Sequence, residues 1–169
     1  MKKIALTLIL PLVLSLATVA AQKKDASKKS TESAASEQHV VLTPGDLKWM
    51  DAPAGLPPGA KIAVLAGDPN KKRPFTMRLQ TPAGYEVPPD THPTTENITV
   101  ISGTFNIGTG DKFDEVAGKE LGAGSYMVMP AGMKHYAWTT AETIVQVHGM
   151  GPFVINYVNP TDDPRNAKK

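Results

Sequence analysis

The chain has no cysteine. That absence removes disulfides, thiolate metal ligands and thiol nucleophiles together, and with them the lipidated cysteine of a bacterial lipoprotein anchor. There is also no useful excess of positive charge. The formal net charge is +2, but residues 40–169 hold 12 of the 18 basic and 13 of the 16 acidic residues, a net of −1. Nothing in that stretch makes the basic stripe that nucleic-acid binding needs. A helical period of any length is missing after residue 39, as are a phosphate-binding glycine loop and a Ser–His–Asp arrangement. What remains is a run of short alternating segments closed by Gly and Pro turns, which argues for an all-β sandwich or barrel.

Residues 1–21 have a short basic start (Lys2, Lys3), an apolar run from Ile4 and a small-residue end, Ala17-Thr18-Val19-Ala20-Ala21. This is the layout of a cleaved secretory signal peptide, and it predicts a periplasmic or secreted protein with no stable membrane anchor. Residues 22–38 are rich in Lys, Ser, Ala and Glu, without an aromatic or a branched aliphatic side chain. Such a stretch cannot bury enough apolar surface to offset its ordering entropy and reads as a disordered tether. The barrel is expected over 39–160, beginning near Val40-Val41-Leu42, with 161–169 a flexible C-terminal tail. In Phe75–Leu79 the alternation puts Phe75, Met77 and Leu79 on one face. Ile62, Val64 and Ala66 are expected to share another, and Glu96, Ile98 and Val100 a third. Residues 108–123 read as a polar loop.

Two stretches carry the chemistry. His92 and Glu96 flank the short turn Pro93-Thr94-Thr95, so their side chains can converge from neighbouring positions of one hairpin. His135 follows the turn Pro130-Ala131-Gly132, on a distant strand. Two imidazoles and a carboxylate converging on one side are the donor set of a facial triad for divalent iron and its neighbours. If the strand at 135–139 pairs with that at 143–148 about a turn at Thr140-Ala141, residue 135 lies opposite residue 146. Gln146 and His148 then point toward the same place, as outer groups around the donors.

The spacing of Gly84, His92, Glu96 and Gly103, followed by Gly124, Pro130, Gly132 and His135, resembles the paired motifs of the cupin superfamily. The resemblance implies an antiparallel double-stranded β-helix, or jelly-roll barrel, with a metal site inside. Asp90 stands where the first motif has its first His, and Thr139 where the second has Asn. Asp90 is therefore a direct ligand, a water-bridged one, or an acceptor that holds an imidazole; its short side chain favours the last two. A set with two carboxylates is oxygen-rich and favours zinc, iron or manganese over copper. Zinc-dependent anti-sigma factors carry cupin domains that also vary these ligands.

The resemblance does not choose a reaction. An exported single-domain cupin binding a divalent metal and a small polar ligand is one reading. A metal-dependent enzyme of dioxygenase or isomerase type is another, and a non-catalytic metal or ligand sensor a third. The partner expected is a small molecule rather than nucleic acid, and pairing into a homodimer is left open.

Overall fold

The computed structural model describes residues 39–167; the expected signal peptide and tether, residues 1–38, lie outside the described residues. The strands are β1 (Met50–Asp51), β2 (Lys61–Gly67), β3 (Pro74–Thr81), β4 (Tyr85–Thr91), β5 (Glu96–Ser102), β6 (Thr104–Thr109), β7 (Lys119–Gly122), β8 (Tyr126–Met129), β9 (His135–Thr139), β10 (Thr143–Met150) and β11 (Asn156–Tyr157). They form two antiparallel sheets, ordered β1-β2-β3-β10-β5-β8 and β11-β4-β9-β6-β7. This is the expected all-β jelly-roll barrel. From β3 onward every successive pair except β6 and β7 switches sheets, so sequence neighbours are often not spatial neighbours.

The inward faces follow from side-chain alternation. Phe75, Met77 and Leu79 of β3, Ile98 and Val100 of β5, and Val145 and Val147 of β10 are buried. They meet Tyr85, Phe105, Ile107 and Ala137 of the opposite sheet in one cluster. Burying this cluster removes apolar surface from water at about 25 cal/mol per Å², which favours closing the barrel.

Four expectations need correction. Residues 40–42 are not a strand: Val40, Val41 and Leu42 are exposed, and the first ladder begins at Met50. Ile62, Val64 and Ala66 do not share a face. Val64 pairs with Met77 and Ala66 with Thr76, so the extra residue Leu65 reverses the face partway along β2. The polar insert contains β7 and carries Phe113, which packs on Tyr136 and Trp138. That contact covers the outer face of β9, and all five of its residues are buried. The tail is not loose through residue 166. It makes two 3-10 turns, Pro160–Asp162 and Pro164–Asn166. Arg165 ties it down, bonding both Asp163 oxygens at 2.7 Å and the Ile155 carbonyl at 2.9 Å.

Gly103 turns β5 into β6 with φ +80°, and a Cβ there would run into the Glu142 carbonyl and the backbone of Thr143. Gly84 has φ +73° but open space around it. Gly84→Ala is therefore expected to cost only the left-handed backbone penalty, about 1–2 kcal/mol. Gly103→Ala should cost roughly 3 kcal/mol or more, because strain and collision add. Urea unfolding of the two variants checks the order; equal midpoints would show that the Gly103 turn relaxes freely.

Candidate metal centre

β4 enters the barrel with Tyr85 inward and Glu86 outward. Strict alternation would continue through Val87 to Pro89 and leave Asp90 facing solvent. The pairing with β9 prevents this. Val87 lies opposite Ala137, but the next matched pair is Asp90 with His135, so Pro88 and Pro89 together oppose Tyr136 alone. This is a β-bulge, and its two prolines have no N–H to leave unpaired. Beyond it Asp90 and His92 both point inward and are buried. Glu96 is the first inward residue of β5, above Ile98 and Val100. The Pro130–Gly132 turn delivers His135 and is tied to the first stretch directly, for the Gly132 N–H donates to the His92 carbonyl at 2.8 Å.

The two imidazoles are oriented alike. His92 Nδ1 lies 2.8 Å from the Val154 carbonyl and His135 Nδ1 lies 3.0 Å from the Met133 carbonyl. A carbonyl only accepts, so each Nδ1 carries the hydrogen and each Nε2 is left for the interior. His92 Nε2 stands 3.4 Å from Asp90 Oδ1 and 3.3 Å from Glu96 Oε2. His135 Nε2 stands 4.0 Å from Asp90 Oδ1 and 3.6 Å from Glu96 Oε2. Donors about 2.1 Å from one ion at tetrahedral angles are roughly 3.4 Å apart, which is close to these separations. Asp90, His92 and His135 form a group whose ligand atoms all lie within 4.8 Å of one another. Glu96 adds a second carboxylate against both imidazoles. Asp90 Oδ1 is buried with no hydrogen-bond partner, an unmet acceptor of the kind a cation satisfies. The donors present fit a divalent metal.

Gln146 and His148 are not brought to this place. β9 and β10 belong to different sheets and do not pair, and β10 lies between β3 and β5. Its inward residues are Thr143, Val145 and Val147; Gln146 faces outward, where Arg78 Nε donates to it at 3.4 Å. His148 sits on the same outer face between Thr76 and Asn97. The segment after β10 contributes instead. Phe153 stacks on His92 with ring centroids 4.9 Å apart, beside the Val154 carbonyl that holds that ring. Nothing in the sequence marks these two except their place before the last strand. Below the donors is a cavity of about 50 Å³, walled by the hydrocarbon side chains of both sheets.

Burial alone would push the His92 imidazole down. The hydrogen-bonded Glu96 carboxylate, the Asp90 charge and the Val154 carbonyl outweigh it, raising the group from 6.5 to about 9. Burial pushes the Asp90 carboxyl up to about 6, against the pull of His135 and His92 and with help from Glu96. Both folded values lie above the unfolded ones, so each group stabilises the metal-free fold at low pH and ceases to as pH rises. The Asp90 contribution goes between 3.8 and about 6, and the His92 contribution between 6.5 and about 9. Metal-free protein should therefore melt at progressively lower temperature from pH 6.5 to 9, and His92→Ala should flatten that part of the profile. A melting temperature independent of pH across this range in the native chain would show that His92 is not held by the carboxylates.

The fold is widely shared. The polyketide cyclase RemF of Streptomyces resistomycificus superposes with a TM-score of 0.61 at 19% identity, covering 75% of this chain and 90% of that one. An acetylacetone dioxygenase of Acinetobacter johnsonii gives 0.56 at 18% identity, covering 75% and 81%. A putative acetylacetone dioxygenase of Methylibium petroleiphilum gives 0.57 at 17% identity, covering 75% and 85%. At these identities the likeness is one of fold. No curated protein matches the chain. The family model of the ChrR cupin-like domain, however, matches residues 37–154. That span takes in both motifs, all four inward donors and the strands that carry them: the chain belongs to the ChrR cupin-like family of the cupin superfamily.

Proposed function

We propose that this protein is a metal-binding cupin in which Asp90, His92, Glu96 and His135 hold one divalent ion, zinc, iron or manganese, and present it to a small molecule in the barrel. The carrying observation is the shared orientation of the imidazoles, with both Nδ1–H groups spent on backbone carbonyls and both Nε2 atoms turned toward two buried carboxylates. That arrangement also bears on Asp90. A carboxylate that served only to hold an imidazole would accept from a free Nδ1–H, and neither ring has one left. Asp90 is accordingly read as a direct donor, against the expectation from its length. The bulge at Pro88-Pro89 supplies the inward step that the shorter side chain lacks.

When bound, such an ion supplies Lewis acidity toward a ligand oxygen. The chain's own contribution is orientation and dryness. The Val154 and Met133 carbonyls hold the tautomers, the hydrocarbon wall excludes water, and Phe153 covers His92. Two folds similar to this one carry names from different chemistries, a cyclase and a dioxygenase, so architecture does not select a reaction here.

Protein purified without added metal should contain about one divalent ion per chain, and His92→Ala, Glu96→Ala and His135→Ala should each abolish stoichiometric loading. Asp90→Ala should weaken binding as much as His135→Ala, by more than about 100-fold; an effect of only 10- to 100-fold would return Asp90 to an orienting role. Chelator should lower the melting temperature, since an ion at about 100 times its Kd adds roughly 2.7 kcal/mol to the native state. Native protein that takes up no zinc, iron or manganese would sink the reading.

We also infer export, on the basic, apolar and small-residue pattern of residues 1–21. N-terminal sequencing should find Gln22 or Ala21 first, whereas an intact Met1 on exported protein would contradict cleavage.

A further inference from the structure

The cavity below the donors has an unusual imbalance. Apart from Asp90, His92, Glu96 and His135, every residue lining it is hydrocarbon or thioether, including Leu56, Met77, Leu79, Ile98, Ile107 and Phe153. Among the described residues, the lining holds no Ser, Thr, Asn, Gln, Tyr, Lys or Arg. A molecule entering it finds polar partners at one end only. A hydroxyl anywhere else along its body would lose its water without gaining a hydrogen bond, a net cost.

Charge adds a second constraint. Two carboxylates against a divalent ion leave the centre with no net charge, and the two imidazoles are neutral when they ligate. An anion would then bring uncompensated negative charge into a low-dielectric wall with no cation to meet it. Size adds a third. A water-sized group needs on the order of 10–15 Å³ of such space, so a cavity of about 50 Å³ that must also hold the ion admits only about three or four of them. Anything longer requires the lining side chains to move.

Resting on the metal-binding reading above, we infer that the ligand is a compact, uncharged molecule with one oxygen donor at the metal end and a hydrocarbon body, such as a small ketone or sulfoxide. Carboxylates of the same shape and polyhydroxylated molecules are excluded. This departs from the small polar ligand that the motifs alone suggest, because the motifs specify the donors and are silent about the wall.

The test uses the full mature chain loaded with cobalt(II), with metal content measured independently and the visible absorption of the ion as readout. Acetone and dimethyl sulfoxide are compared with acetate, which has nearly the same skeleton but carries a charge, and with glycerol. The neutral pair should perturb the spectrum and raise the melting temperature, binding at least about tenfold more tightly than acetate; glycerol should do neither. In Asp90→Asn, which removes one negative charge at constant shape, acetate should gain at least about tenfold relative to dimethyl sulfoxide. Loaded protein that prefers acetate, or ignores both neutral probes, overturns this inference while leaving the metal site standing. Failure of cobalt, zinc, iron and manganese alike to load overturns the metal reading and this inference with it.

Discussion

Two carboxylates and two imidazoles converge at a cavity whose other lining residues are hydrocarbon or thioether, and the rest of the structure is arranged around making that tolerable. Left alone, Asp90 and Glu96 would face desolvation without sufficient hydrogen bonds, and Asp90 Oδ1 has none. The raised Asp90 and His92 groups are the metal-free chain's partial answer, since protons reduce the mutual repulsion and the cost of burial. A divalent cation of the kind proposed would be the fuller answer. Asp90, His92 and His135 are close enough to share one, and the ring orientations imposed by Val154 and Met133 are the ones that would expose nitrogen lone pairs to it.

Backbone parity decides which side chains reach that interior. Side chains alternate with a period of two, so one extra residue moves everything beyond it to the other face. In β2 such a residue carries Ala66 off the inward face that Ile62 occupies. In β4 the bulge at Pro88-Pro89 does the opposite service and brings Asp90 and His92 inward after Tyr85 and Val87. The centre thus depends on two residues that touch no metal donor through their side chains. It depends equally on contacts outside the barrel. Phe113 against Tyr136 and Trp138 makes β9 a strand buried on both faces, which fixes the strand that begins at His135.

Support for the site also arrives from the end of the chain. The segment after β10 stacks Phe153 on His92 and offers the Val154 carbonyl to its Nδ1–H. Ile155 is buried in the core beside it, and its carbonyl is held by Arg165. The tail is ordered because that guanidinium has both a carboxylate and a main-chain acceptor within reach.

By itself the sequence determined the fold class, the candidate donors His92, Glu96 and His135 as residues of one inward-facing group, and the turns that carry them. These are local matters: strand period, Gly and Pro at turn positions, and motif spacing that survives without knowledge of any neighbour. It was right about β3 and β5 because their alternation is unbroken. It misplaced Gln146 and His148 because pairing between sequence neighbours was assumed, whereas the chain crosses to the other sheet between β9 and β10. It could not decide the role of Asp90, since the bulge exists only through the register of β4 against β9. Only the tertiary structure set the wall of the cavity, because a wall is assembled from strands of both sheets and from a segment closing over them, and no spacing within one stretch records who faces whom.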